Sequence, residues 1–286
     1  MERRMYHLLH MFLIEYTLQI VLLGGIILGA TAGILGAFVF VRQQSLLSDA
    51  IAHASLPGII IMFLCTGSRY QSVLICGGII AGGTGIILMH MILYYTKLKR
   101  DAVLGIILSV FFGIGLILLT IVQKQQLSGQ QILNKYLFGN ITTLLYSDLW
   151  SMGLLCFIVL VGLFLINKEN VLLAFDAEYT QVQGYSVNAL ESLFHFFLTI
   201  TIGIGLHMVG VILISTMIIS PAIAARQCTY RMPQFIVLSG VYGALSSVGG
   251  IIISSTVAHL PTGPCIVLCS SGISFLSLLI AYFIKK

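Results

Sequence analysis

The stretch Ser45–Pro57, SLLSDAIAHASLP, sets a carboxylate and an imidazole four residues apart at Asp49 and His53. That spacing puts both side chains on one face of a helix, one above the other. Carboxylate plus imidazole is a ligand set for borderline divalent ions such as Mn²⁺, Zn²⁺ or Fe²⁺. Two ligands make half a site, and a twofold symmetric partner would bring the same pair again, for two Asp and two His. Ser45 and Ser48 lie one turn away and extend the polar lining, and Pro57–Gly58 is expected to break the helix just beyond. The competing reading is structural: Asp49 pairs with His53, or caps the helix near an interface, a few residues from Arg42.

The element carrying this pair is a long apolar segment. An ionisable group inside such a span costs several kcal/mol unless it is paired or hydrated, so it normally faces an interior path. The chain as a whole supports this setting. Hydrophobic residues make up 58% of 286 and charged residues 8%, with a mean hydropathy of +1.06, whereas a soluble domain carries about 25% charged residues. No soluble fold of this length buries that much apolar surface. The expected class is therefore all-α, a polytopic transmembrane bundle forming one domain over 1–286.

A helical span needs about 20 apolar residues. Segments 17–41, 45–66, 70–95, 102–123, 148–167, 189–206, 208–226, 234–257 and 263–284 meet this, giving nine spans, or eight if 189–226 is counted once. As a single helix, 189–226 would run over about 50 Å, so a turn at Gly203, Gly205 or Gly210 is expected. With the N-terminus outside and the C-terminus cytoplasmic, Arg42, Lys97, Lys99, Arg100, Lys168, Arg226, Arg231, Lys285 and Lys286 face inward. Arg3, Arg4, Arg69, Lys124 and Lys135 then face outward, so the inward side carries the excess of bases, nine to five, expected of cytoplasmic loops. The first apolar run reads as a retained span rather than a cleaved leader.

Two segments do not span. The polar loop 124–147 is expected outside. The inward loop 168–188 is acidic and reads as a short helix opened by Asp176 and Glu178, where acids suit the dipole, and closed by Gly184. The glycines at 25, 29, 33 and 36, and those at 77–85, are spaced for close helix packing. The six cysteines form no C-x-x-C pair and read as small packing residues, although Cys265 and Cys269 lie four apart. His207 falls at the expected tight turn, and His259 precedes the outward turn LPTGP. Either stands where cargo would enter, though interface histidines are common. His7 and His10 belong to a surface helix, and His90 and His195 are expected only to pack. There is no phosphate-binding loop, no H-E-x-x-H, and no basic-aromatic patch for nucleic acid. No catalytic residue and no resident cofactor is expected.

LLSDAIAHASLPG at 46–58, DAVLGIILSVFFGIGLILL at 101–119, LFGNITTLLYSDLW at 137–150, LLAFDAEYTQVQGY at 172–185, VGVILISTMIISPAIAAR at 209–226 and LPTGPCIVL at 260–268 follow one another in a familiar order. Over 46–268 the chain resembles the metal-ion permeases of bacterial ABC importers, which take up manganese, zinc or iron. The resemblance implies a multi-pass protein of the bacterial cytoplasmic membrane, working by alternating access as a dimer with a second permease subunit. It further implies cytoplasmic ATP-binding subunits and an extracytoplasmic metal-binding protein as partners. Asp49 and His53 match the family's membrane metal site, and 174–185, with Phe175, Asp176 and Glu178, matches the helix that docks on the ATPase. The chain departs from the pattern at His259, where an Asp is frequent, and at His207, where a longer basic residue is frequent. These departures leave the metal open. The rival readings are an ion-coupled carrier without an ATPase and a membrane-embedded enzyme. The enzyme would need acids and histidines converging from several spans.

Overall fold

The computed structural model describes residues 16–67, 70–124, 139, 146–256 and 260–284. The expectations for Arg3, Arg4, His7, His10, Arg69, Lys135, His259, Lys285, Lys286 and most of 124–147 lie outside these residues. Eleven helices follow in order: α1 Tyr16–Val41, α2 Ser45–Thr66, α3 Gln71–Tyr95, α4 Arg100–Lys124, α5 Tyr146–Leu165, α6 Asn167–Phe175, α7 Ala177–Val182, α8 Val187–Met208, α9 Val211–Cys228, α10 Met232–Thr256 and α11 Thr262–Ile284. No strand occurs among the described residues.

Eight of these helices are long and apolar enough to cross a bilayer. The ninth long segment, α9, has an apolar part of Leu213–Cys228, shorter than the rest. The expected split falls at Val209–Gly210, because Gly210 adopts φ 93° and only glycine takes that conformation without strain. Gly203 and Gly205 stay inside α8.

Burial ranks the helices. In α1, α2 and α8, 67% of the spanning window lies inside the bundle, against 22% for α5 and α11. The outer helices turn Phe164, Phe283 and Trp150 outward at 81%, 72% and 68% exposure. Such a surface is stable only against lipid, where helices satisfy their own backbone. The chain is a multi-pass membrane protein.

Small residues bring the core helices together. A side chain at Gly29 or Gly33 would strike the backbone of Gly243 or Ser239 on α10, and Ser239 Oγ donates to the Gly33 carbonyl at 2.6 Å. Gly58 of α2 meets Gly77 of α3 in the same way. The glycine pattern thus serves packing.

Three local expectations need correcting. Helix α2 passes through Pro57 and Gly58 unbroken. Proline removes one N–H, and the carbonyl that loses its donor is that of His53, four residues back. Ser48 is buried and its hydroxyl donates back to the Ser45 carbonyl at 3.1 Å, so Ser48 is not part of the polar face. The 168–188 loop contains two helices, not one. Asp176 is extended (φ −149°) and ends α6, and its side chain caps α7 by accepting from the Tyr179 N–H at 2.9 Å. Gly184, at φ 89°, closes α7 as expected.

Candidate functional site

Ser45, Asp49 and His53 form a stripe along α2, one turn apart. Ser45 is exposed, and Asp49 and His53 are half-buried. The His53 ring stands edge-on to Phe112 of α4, centroids 4.6 Å apart. Its Nδ1 is buried and has no hydrogen-bond partner. Among the described residues Asp49 has no hydrogen bond or ion pair either, so it neither caps α2 nor bridges to a base. Arg42, the nearest cation in sequence, donates instead to Asn170 Oδ1 at 2.9 Å. The carboxylate and the imidazole thus share one half-buried face without a hydrogen bond to any other protein group among the described residues, and Asp49 acts on His53 through its charge. No group of three or more His, Cys, Asp or Glu suited to hold a metal occurs among the described residues.

Beneath this stripe, Ser45 also lines a cavity of about 600 Å³ with Val41, Gln43, Phe175 and Arg226. The cavity places the start of α2, the end of α6 and the end of α9 at one end of the bundle.

At the opposite end, three helix termini meet in a polar cluster that sequence reasoning did not assemble. The Gln71 amide, oriented to satisfy both neighbours, donates to the Asp148 carboxylate at 2.9 and 3.3 Å and accepts from His207 Nδ1 at 3.2 Å. His207 is thus in the last turn of α8, tied to the first residue of α3 and the first turn of α5.

Two histidines, His90 and His195, have ring centroids 5.4 Å apart. His195 is 1% exposed and neither of its nitrogens has a partner. The pair packs, as expected, but in charged surroundings. Glu191, one turn before His195, bridges to Arg100 at 3.2 Å. The four-residue spacing of Glu191 and His195 was the available signal for this cluster.

A model of the ABC 3 transport family matches residues 14–281. The chain belongs to that family. It is similar to the zinc transport system membrane protein TroC of Treponema pallidum, at 38% identity over 96% of this chain and 92% of that protein. It is similar too to the manganese transport system membrane protein MntC of Bacillus subtilis, at 37% identity over 92% of this chain and 60% of that one. Among solved structures, PsaBC from Streptococcus pneumoniae in complex with Fab shares the fold, with a TM-score of 0.85 and 28% identity over 96% of this chain and 95% of that one.

Membership in the ABC 3 family makes the chain a transport permease subunit and not an enzyme, and it does not favour the rival carrier. For an ABC 3 permease the end bearing α6 and α7 is of particular interest. Phe175, Tyr179 and Val182 are all exposed there, around a helix whose start carries Asp176 and Glu178. An exposed apolar patch beside acids marks a surface for contact with a protein or with the membrane.

Proposed function

We propose that the chain is the membrane permease subunit of an ATP-driven importer of divalent transition-metal ions, manganese, zinc or iron, in the bacterial cytoplasmic membrane. The observation that carries this reading is the unpartnered Asp49–His53 pair on one face of α2, in a chain with no third candidate ligand beside it among the described residues. A second permease subunit related by a twofold axis completes the site with its own pair. Two carboxylates then balance the charge of a divalent ion and lower the cost of stripping its water.

In this reading the N-terminus lies outside and the C-terminus inside, so that Arg42, Arg100 and Arg226 face the cytoplasm with α6 and α7. The 168–188 segment is the cytoplasmic coupling loop within a single permease domain, and Phe175, Asp176 and Glu178 belong to its ATPase-docking surface. An extracytoplasmic metal-binding protein delivers the ion at the end where Gln71, Asp148 and His207 meet. ATP-driven closure of the partner subunits rocks the helices, and the ion passes from that end to the other by alternating access. The ion is cargo, with no cofactor held permanently.

The test is uptake of radioactive Mn²⁺ and Zn²⁺ by proteoliposomes holding the complete complex. Asp49→Ala and His53→Ala are each expected to lower ATP-dependent uptake on the order of 100-fold or more, as for the loss of a directly bound ligand, with the complex still assembled. Uptake at the normal rate by either variant would remove the site assignment.

A further inference from the structure

We propose that Arg42 is the joint through which movement of the cytoplasmic α6–α7 unit reaches the metal-binding face of α2. The inference rests on the permease reading above and names the contact that transmits the stroke.

Arg42 continues the last turn of α1 and leads into α2 through a tight turn. Its N–H donates to the Phe38 carbonyl of α1 at 3.0 Å, that of Gln44 donates to the Val39 carbonyl at 3.0 Å, and the Leu47 N–H of α2 donates to the Gln44 carbonyl at 3.0 Å. Gln43 between them is held at φ 54°, a conformation that non-glycine residues rarely adopt. Helix α2 begins at Ser45, and Asp49 follows one turn later. Whatever moves Arg42 therefore moves the start of the stripe.

The other side of the joint is α6. Arg42 Nη2 donates to Oδ1 of Asn170, which is fully buried in the bundle. Helix α6 runs to Phe175 and passes through Asp176 directly into α7. The guanidinium also lies 4.3 Å over the Phe194 ring of α8, a cation–π contact that keeps it between the two helices.

The joint has a second arrangement within reach. Arg42 Nε and Nη1 are buried without partners, as is the Gln44 Oε1 beside them. Unsatisfied buried donors are costly and favour any rearrangement that pairs them. The carboxylate whose charge acts on Arg42 is Glu191, which here is bonded to Arg100 at 3.2 and 3.4 Å. A shift of α6 that releases Asn170 lets Glu191 pass from Arg100 to Arg42, which would bind the turn between α1 and α2 to α8 in place of α4. Burial pulls the guanidinium down to about 10, against the pull of Glu191, so it stays charged at neutral pH in both arrangements.

Ions imported and ATP hydrolysed are measured together in proteoliposomes of the whole complex, with equilibrium Mn²⁺ binding measured on the same preparation. Asn170→Leu removes the acceptor at similar volume. It is expected to lower the ions imported per ATP roughly tenfold, the scale of a hydrogen bond to a charged group. ATPase co-purification and Mn²⁺ affinity are expected to stay at wild-type values. Asn170→Asp, which keeps an acceptor, and Arg42→Lys, which keeps a charged donor, are expected to retain most of the coupling. A wild-type ratio of ions to ATP in Asn170→Leu overturns the joint, as does a fall in Mn²⁺ affinity that matches the fall in transport. Should Asn170→Leu fail to assemble, Asn170→Asp and Arg42→Gln decide: equal coupling in the two overturns the proposal. Wild-type uptake that proceeds without ATP would instead sink the permease reading itself, a result these variants do not affect.

Discussion

At the scale of single residues, Asp49 and His53 are half-buried and make no hydrogen bond to another protein group among the described residues, so neither is held by the structural roles open to it. Structural roles were open to both. Asp49 had Arg42 a few residues away, yet Arg42 is engaged with Asn170 and Phe194. His53 had Asp49 below it, yet its Nδ1 meets no acceptor. What His53 does have is Phe112, edge-on at 4.6 Å. A ligand imidazole works only when its ring is held in one orientation, and on the proposed reading the aromatic contact holds His53 in place of a hydrogen bond. Such a contact is worth about 0.5–1.5 kcal/mol beyond burial. Phe112→Ala is therefore expected to weaken Mn²⁺ or Zn²⁺ binding by roughly three- to tenfold, within the range that this energy allows. Titration of the purified dimer with either ion checks this, and an unchanged affinity would show that the ring needs no such support.

At the scale of elements, α7 is the piece whose form follows its position. Six residues, Ala177–Val182, make a helix far too short to be stable alone. It exists because Asp176 caps it, Gly184 ends it, and α6 and α8 hold its two ends. Reversing the charge with Asp176→Lys and Glu178→Lys removes the cap and turns the acidic rim basic. ATPase subunit recovered with the tagged permease is expected to fall about tenfold or more, since a cap alone contributes about 1 kcal/mol and opposed charge adds to it. Normal recovery would place the docking surface elsewhere. The spans themselves were legible, because length and apolarity alone decide what crosses a bilayer, and the bounds of α2, 45–66, coincide with those read from sequence. The proposed metal pair, Asp49 and His53, could be picked out because one helix carries both members. Contacts between distant segments were not. Nothing local in Gln71, Asp148 and His207 says that their helix ends converge. Pro57 looked like a break, but a helix packed through Gly58 against Gly77 tolerates one missing hydrogen bond.

At the scale of the whole molecule, the decisive quantity is how many ions one assembly holds. Each chain offers Asp49 and His53, and no third ligand joins them among the described residues. If each chain bound its own ion, the dimer would hold two, each on two ligands with most of its hydration intact, and affinity would be weak. If the pairs converge on the twofold axis, the dimer holds one ion on four protein ligands, and removal of a ligand from one chain damages the shared site. These cases separate in a tandem dimer in which two copies are joined and only one carries Asp49→Ala. Independent sites predict half the ions bound at unchanged affinity. A shared site predicts one ion per dimer in the unaltered tandem and an affinity lower by roughly 10- to 100-fold in the single-sided variant, with no tight fraction left. Equilibrium dialysis with Mn²⁺ reads both numbers at once. On the proposed alternating-access reading the shared outcome is expected, because that mechanism needs a site that both halves can open, and an ion held by one chain alone would give the rocking of the two nothing to act upon.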